Sequence, residues 1–172
     1  MTAQVLIREC LERVRQRITE QMSTLGRNAS GRSVRSLEVE ASENRGTLWG
    51  AGHFVVMETG RRGGRVPYGF RDIIRQWIID KGIPFEPMPY KRGNGLLSPE
   101  ERGLNSLAGA IAYSIMRNGT RLHRDGRTDD IYTTAINEEL EELGKKIRAM
   151  YATKIEHITL HDLNENDREA HR

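Results

Sequence analysis

Between residues 3 and 25 the apolar positions Ile7, Leu11, Val14, Ile18, Met22 and Leu25 recur at steps of three and four, with Arg, Glu and Gln between them. That period predicts an amphipathic helix. Gly26 supplies its stop, and residues 26–33 read as a loop. The period then falls to two. Leu37, Val39 and Ala41 alternate with Ser36, Glu38 and Glu40, which predicts a strand over 34–41 with one wet face. After a turn, residues 47–59 predict a second extended segment, weakened at Gly50 and Gly52, so the pair reads as a bulged hairpin. A helical stripe returns at Phe70, Ile73, Ile74, Trp77 and Ile78 and closes at Gly82. Residues 84–103 are rich in Pro and Gly and predict a long surface loop or partner-binding arm. Small residues mark a helix over 105–118. Another over about 130–158 carries Tyr132, Ile136, Leu140, Leu143, Ile147, Tyr151, Ile155 and Ile158, with Thr128 or Asp129 as its N-cap. The expected fold is α+β: a small antiparallel hairpin packed by an N-terminal helix, two middle helices and a long C-terminal one. Residues 1–158 are expected to form one domain and 159–172 a polar tail. Phe54, Phe70, Ile74, Trp77 and Ile115 are the expected core.

Charge changes this picture more than composition does. Of 27 basic residues only five are lysine, so 22 are arginine, whose planar fork suits carboxylates and phosphates. Residues 61–92 hold eight basic against three acidic side chains, while residues 131–172 hold six against nine. A basic middle and an acidic end suit docking between copies, or a basic face toward nucleic acid. One cysteine, Cys10, excludes an intrachain disulfide, and its helical setting reads as a small buried hydrophobe. No signal peptide or membrane span is expected.

The stretch Glu58–Pro67, Glu-Thr-Gly-Arg-Arg-Gly-Gly-Arg-Val-Pro, is the most unusual in the chain. A phosphate-binding loop needs Lys followed by Ser or Thr after its last glycine, and Arg65 and Val66 stand there instead. His157 and His161 are four apart, but Ile158 occupies the place of the glutamate that the metalloprotease pattern requires. His53 and His123 have no evident partner in the sequence. No nucleophile elbow or acid–base pair is legible, so neither catalytic residues nor a cofactor or metal are expected. Arg61, Arg62, Arg65, Lys91 and Arg92, with Arg121, Arg124 and Arg127, are the candidates for a subunit interface or a DNA-facing surface. Gly60, Gly63 and Gly64 are the candidates for a structural turn. A small arginine-rich DNA-binding protein is the alternative, although no recognition motif is visible.

Residues 53–83, followed by Leu-Ala-Gly-Ala-Ile-Ala-Tyr-Ser-Ile-Met-Arg-Asn-Gly-Thr at 107–120, resemble a family of tailed-bacteriophage head–tail joining, neck, tail-completion or minor tail proteins. The resemblance rests on Phe54, Glu58, Gly60, Arg61, Gly64, Pro67, Ile74, Trp77, Lys81, Gly82 and Ile83. It continues at Ala108, Ala112, Ile115, Gly119 and Thr120. Two departures stand out: Gly63 replaces the family's proline, and Leu122, His123 and Arg124 replace its Pro-Phe segment. The resemblance implies a virion protein without covalent chemistry, in six or twelve copies around the DNA exit channel. Its expected partners are itself, portal or adaptor proteins, tail proteins, and genomic DNA held non-specifically. The expected seam sets the basic 61–92 region against the acidic C-terminal helix of the next copy.

Overall fold

The computed structural model describes residues 2–90 and 95–170, with side chains as far as residue 156. Among these the order is α1 (Ala3–Thr24), α2 (Arg32–Arg35), β1 (Glu38–Ala41), β2 (Gly46–Trp49), α3 (Phe54–Thr59), α4 (Phe70–Lys81), α5 (Pro99–Asn118), α6 (Arg121–Arg124) and α7 (Thr133–Ala170). The class is α+β, with an antiparallel hairpin that pairs Glu38 with Trp49 and Ala41 with Gly46. The chain groups into two compact units. One is Met1–Glu20 with Leu37–Trp49 and Tyr132–Arg172; the other is Gln21–Ser36 with Gly50–Ile131.

In the first unit, α1 buries Leu6, Ile7, Cys10, Val14 and Ile18, the helical stripe of the sequence. Each such side chain withdrawn from water contributes about 1.5–3 kcal/mol before entropy is counted. The hairpin lies along α1. Gln4 Nε2 donates to the Ala41 carbonyl at 3.1 Å, and Ile7 and Leu11 fill the space beside Gly46. Charges fasten α7 to α1. Arg13 Nε meets Glu139 Oε2 at 2.7 Å, and Arg17 reaches Glu138 at 2.5 Å and Glu139 at 3.5 Å. The hydrogen bond to Glu139 holds the Arg13 guanidinium above its ordinary range. Cys10 is wholly buried, and its thiol donates to the Glu139 carbonyl at 3.4 Å. Burial pushes the Cys10 thiol up, which disfavours the reactive thiolate. Cys10 is therefore expected to resist alkylation in the native chain at neutral pH and to react once denaturant is added. Native labelling at the rate of an exposed thiol would contradict this burial.

In the second unit α4 and α5 form the core. Ile74, Ile78, Leu104 and Ala108 are buried, and Phe70, Ile83, Phe85 and Ile115 pack around them half-covered. Small Ala108, fully enclosed, lets the two helices approach closely. Gly82, at φ 62, ends α4 and returns its N–H to Ile78 and Ile79.

Several expectations are corrected. Trp77 is not core: it is 40% exposed, while its neighbour Ile78 is 0% exposed and takes the inward position. The second extended segment ends at Trp49, and residues 54–59 are the helix α3, which buries Phe54 and Glu58 four apart. The first strand begins only at Glu38, since Arg32–Arg35 form a helical turn. Helix α5 starts at Pro99 rather than near 105. Ser98 Oγ accepts from the Glu101 N–H and Glu101 returns a bond to the Ser98 N–H, with Pro99 in the first helical position. That reciprocal cap stabilises the helix start by about 1 kcal/mol. The described part of residues 84–103 is not a free excursion. Phe85 joins the core, Met88 N donates to Pro99 O at 2.8 Å, and the Arg102 guanidinium stacks 3.6 Å over the Tyr90 ring. Asp129 does not cap the last helix. Its N–H donates to Glu58 O at 2.9 Å and its carboxylate pairs with Arg27, and α7 opens later, at Thr133. The backbone of α7 continues to Ala170, through most of the segment expected as a tail.

Candidate functional site

Physical chemistry explains the glycine-rich stretch as a backbone clamp. Residues 58–64 leave α3 and run across the C-terminal end of α5. Arg61 N donates to Thr120 Oγ1 at 2.8 Å, Thr120 N donates to Arg61 O at 2.8 Å, and Gly64 N donates to Met116 O at 2.6 Å. Two chain segments almost sixty residues apart are thus joined by two main-chain bonds and one bond to the Thr120 hydroxyl, each worth about 1 kcal/mol net.

The approach is close enough to demand glycine. A Cβ on Gly63 would lie 2.7 Å from Arg117 O, and one on Gly119 would lie 2.5 Å from Arg61 O. Gly60 and Gly119 also adopt φ 76 and 77 with ψ 179, a region essentially closed to other residues. Gly60 and Gly63 are therefore structural, and they act through close backbone approach as well as turn shape. Gly64, at φ 129, has no atom within 4 Å of a Cβ position.

The clamp sorts the arginines. Arg61 turns inward: it is half-buried, donates to Arg65 O at 2.5 Å and lies 5.6 Å from the Phe70 ring centroid. It is a positioning group for the clamp, which removes it from the set offered to a partner. Arg62 and Arg65 are exposed and make no ion pair among the described residues. Arg124 and Arg127 are likewise exposed and unpaired there, whereas Arg121 is tied to Asp125 at 3.3 Å. Because Arg61 bonds Thr120, the neighbours Arg62 and Arg121 start from adjacent points of the backbone. The clamp thus sets the starts of two basic runs, 61–65 and 121–127, side by side along the backbone. Lys91 and Arg92 lie outside the described residues, as does the side chain of each histidine in the 157/161 pair.

Beside the clamp, α5 and α6 frame a shallow cleft of about 240 Å³ lined by Ile111, Ile115, Thr120, Arg121 and Arg124 among others. Its lining combines isoleucines with two arginines, chemistry suited to an apolar side chain beside a carboxylate. Ile115 serves twice, against the core and in this floor.

Part of the acidic side of the expected seam is engaged within the chain. Glu138 and Glu139 hold Arg17 and Arg13, and Glu141 and Glu142 contact Lys145 at 3.1 and 3.8 Å. One buried charge is a structural group that the sequence did not mark as such. Glu58 is 4% exposed, and its carbonyl receives Asp129 N. Its spacing of four from Phe54 was the available signal. Ser33 Oγ and His53 Nε2 lie 2.6 Å apart, a contact that links α2 to the turn before α3. Among the described residues no group of three His, Cys, Asp or Glu side chains could hold a metal ion, and no helix is long and apolar enough to cross a membrane. No family model, no curated protein and no solved structure matches this chain.

Proposed function

We propose that this chain is a ring-forming structural subunit at the head–tail junction of a tailed bacteriophage, joining portal or adaptor to tail around the DNA channel. The observation that carries the reading is the clamp. The two separated blocks on which the phage resemblance rests, 58–64 and 115–120, meet in one hydrogen-bonded unit, so the motif has a structural purpose. Beside it stand Arg62, Arg65, Arg124 and Arg127, all exposed. Exposed single ion pairs contribute little, but a ring repeats each contact at every seam, and arginines desolvated at a seam contribute more. A cyclic ring brings two different patches together, so these arginines meet a carboxylate-bearing surface on the next copy or on a neighbouring neck protein. The work is surface complementarity, and no covalent step is involved.

The test is replacement of Arg62 and Arg65 together by glutamate in the phage that encodes the chain. The expected outcome is accumulation of unjoined heads and tails, with the melting temperature of the isolated chain unchanged because both side chains are exposed. Normal yields of joined particles would overturn the reading. The unpaired arginines also favour a second reading, a small DNA-binding protein. It requires tight duplex binding at physiological salt that falls steeply as salt rises, whereas a channel-facing ring needs only weak, non-specific contact.

A further inference from the structure

Helix α7 carries an apolar stripe that its own unit leaves half open. Leu140 and Tyr151 are 50% and 48% exposed. Gly144 and Ile147 lie between them at steps of four, three and four, which keeps all four on one face. The face turned toward α1 is a different one, marked by buried Ala135 and by Glu139 in its bonds to Arg13 and Arg17.

Between Glu138 and Lys154 the charges of this helix change sign at Gly144: Glu138, Glu139, Glu141 and Glu142 precede it and Lys145, Lys146, Arg148 and Lys154 follow, before acids return from Glu156 onward. That segment complements a copy of itself that runs the opposite way and repels a copy that runs parallel. Glu141 is engaged only loosely, through the exposed 3.1 Å contact with Lys145. Arg148 makes no ion pair among the described residues. Its guanidinium folds back toward Gly144, 3.9–4.0 Å from where a Cβ there would stand.

We propose that this stripe docks a second copy of the same chain, with the two α7 helices antiparallel and crossing at Gly144. Crossing at the sign change sets Glu141 of each copy opposite Arg148 of the other. It also seats Leu140 of each between Ile147 and Tyr151 of the second copy. Glycine at the crossing point lets the two backbones approach, since interaxial distance is set by the side chains at the contact. The apolar stretch from Leu140 to Tyr151 is about 16 Å long, so the contact is small and the dimer depends on concentration. The pairing is isologous, unlike the heterologous seam of a ring, and it does not rest on the phage reading.

Sedimentation velocity of the purified full chain over a dilution series tests it. The wild-type chain is expected to pass from monomer to dimer as concentration rises. Glu141→Arg and Arg148→Glu are each expected to abolish the dimer, and the double variant to restore it, because the same pair then carries exchanged signs. Helicity by circular dichroism is expected to match wild type in all three, since both positions are exposed. A chain that stays monomeric throughout would overturn the proposal, as would an assembly indifferent to either single change or a double variant that fails to recover. A dimer strengthened by Glu141→Arg alone would overturn it as well.

Discussion

Gly119→Ala is expected to destabilise the chain by about 3–5 kcal/mol, a large share of the roughly 5–15 kcal/mol that holds a domain folded. Two costs combine. The backbone at φ 77, ψ 179 disfavours any side chain by about 1–3 kcal/mol. The new Cβ would also stand 2.5 Å from Arg61 O and 2.9 Å from Gly63 N. These are main-chain atoms and cannot swing aside as the end of a side chain could. Relief requires 61–63 to lift away from α5, which breaks the bond from Thr120 N to Arg61 O and the bond from Arg61 N to Thr120 Oγ1. Gly126→Ala is the control. That residue also has a positive φ, 62, but nothing lies within 4 Å of its Cβ position, so only the left-handed strain of about 1–2 kcal/mol applies. Urea unfolding of both variants measures the difference. Equal midpoints would mean that the clamp contributes nothing beyond turn shape.

The second large effect separates two adjacent residues. Ile78→Ala is expected to cost about 2–5 kcal/mol, because the side chain is fully enclosed with Ile74, Leu104 and Ala108 and its loss leaves a cavity. Trp77→Ala removes a larger side chain, yet Trp77 is 40% exposed and leaves no sealed void, so the cost is expected to be below about 2 kcal/mol. Thermal or urea unfolding decides the order. A Trp77 variant less stable than the Ile78 variant would place the indole, and not the isoleucine, at the centre of the helix pair.

These two residues also mark how far the sequence was legible. The stripe through Phe70, Ile74 and Ile78 located α4, but a period of 3.6 leaves the exact inward direction open by a residue, and the large indole drew the assignment to Trp77. Helix α1 was clear because its apolar and charged positions separate cleanly around the helix. Helix α3 was misread because Phe54, Val55 and Val56 are favoured in strands, while the helical spacing of Phe54 and Glu58 was hidden by the charge of the second. The start of α5 was signalled locally by Ser98, Pro99 and Glu101, and the surrounding prolines masked it.

The arginines were only half legible. The runs 61–65 and 121–127 could be seen as basic. The adjacency of their starts could not, because it depends on Gly60, Gly63 and Gly119 allowing two backbones to touch, and that is a property of tertiary approach rather than of either run. The same contact explains why Arg61, indistinguishable from Arg62 by sequence, faces inward. Glu138 and Glu139 show the same limit of the sequence. A carboxylate counted along α7 is not a carboxylate on offer once Arg13 and Arg17 have taken it.

The most direct measurement is immunogold electron microscopy of mature virions with antibody against this chain. A ring subunit of the neck places the label at the junction of head and tail, on every intact particle. Virions that carry no label, or label scattered over the capsid or along the tail, would contradict a role at that junction.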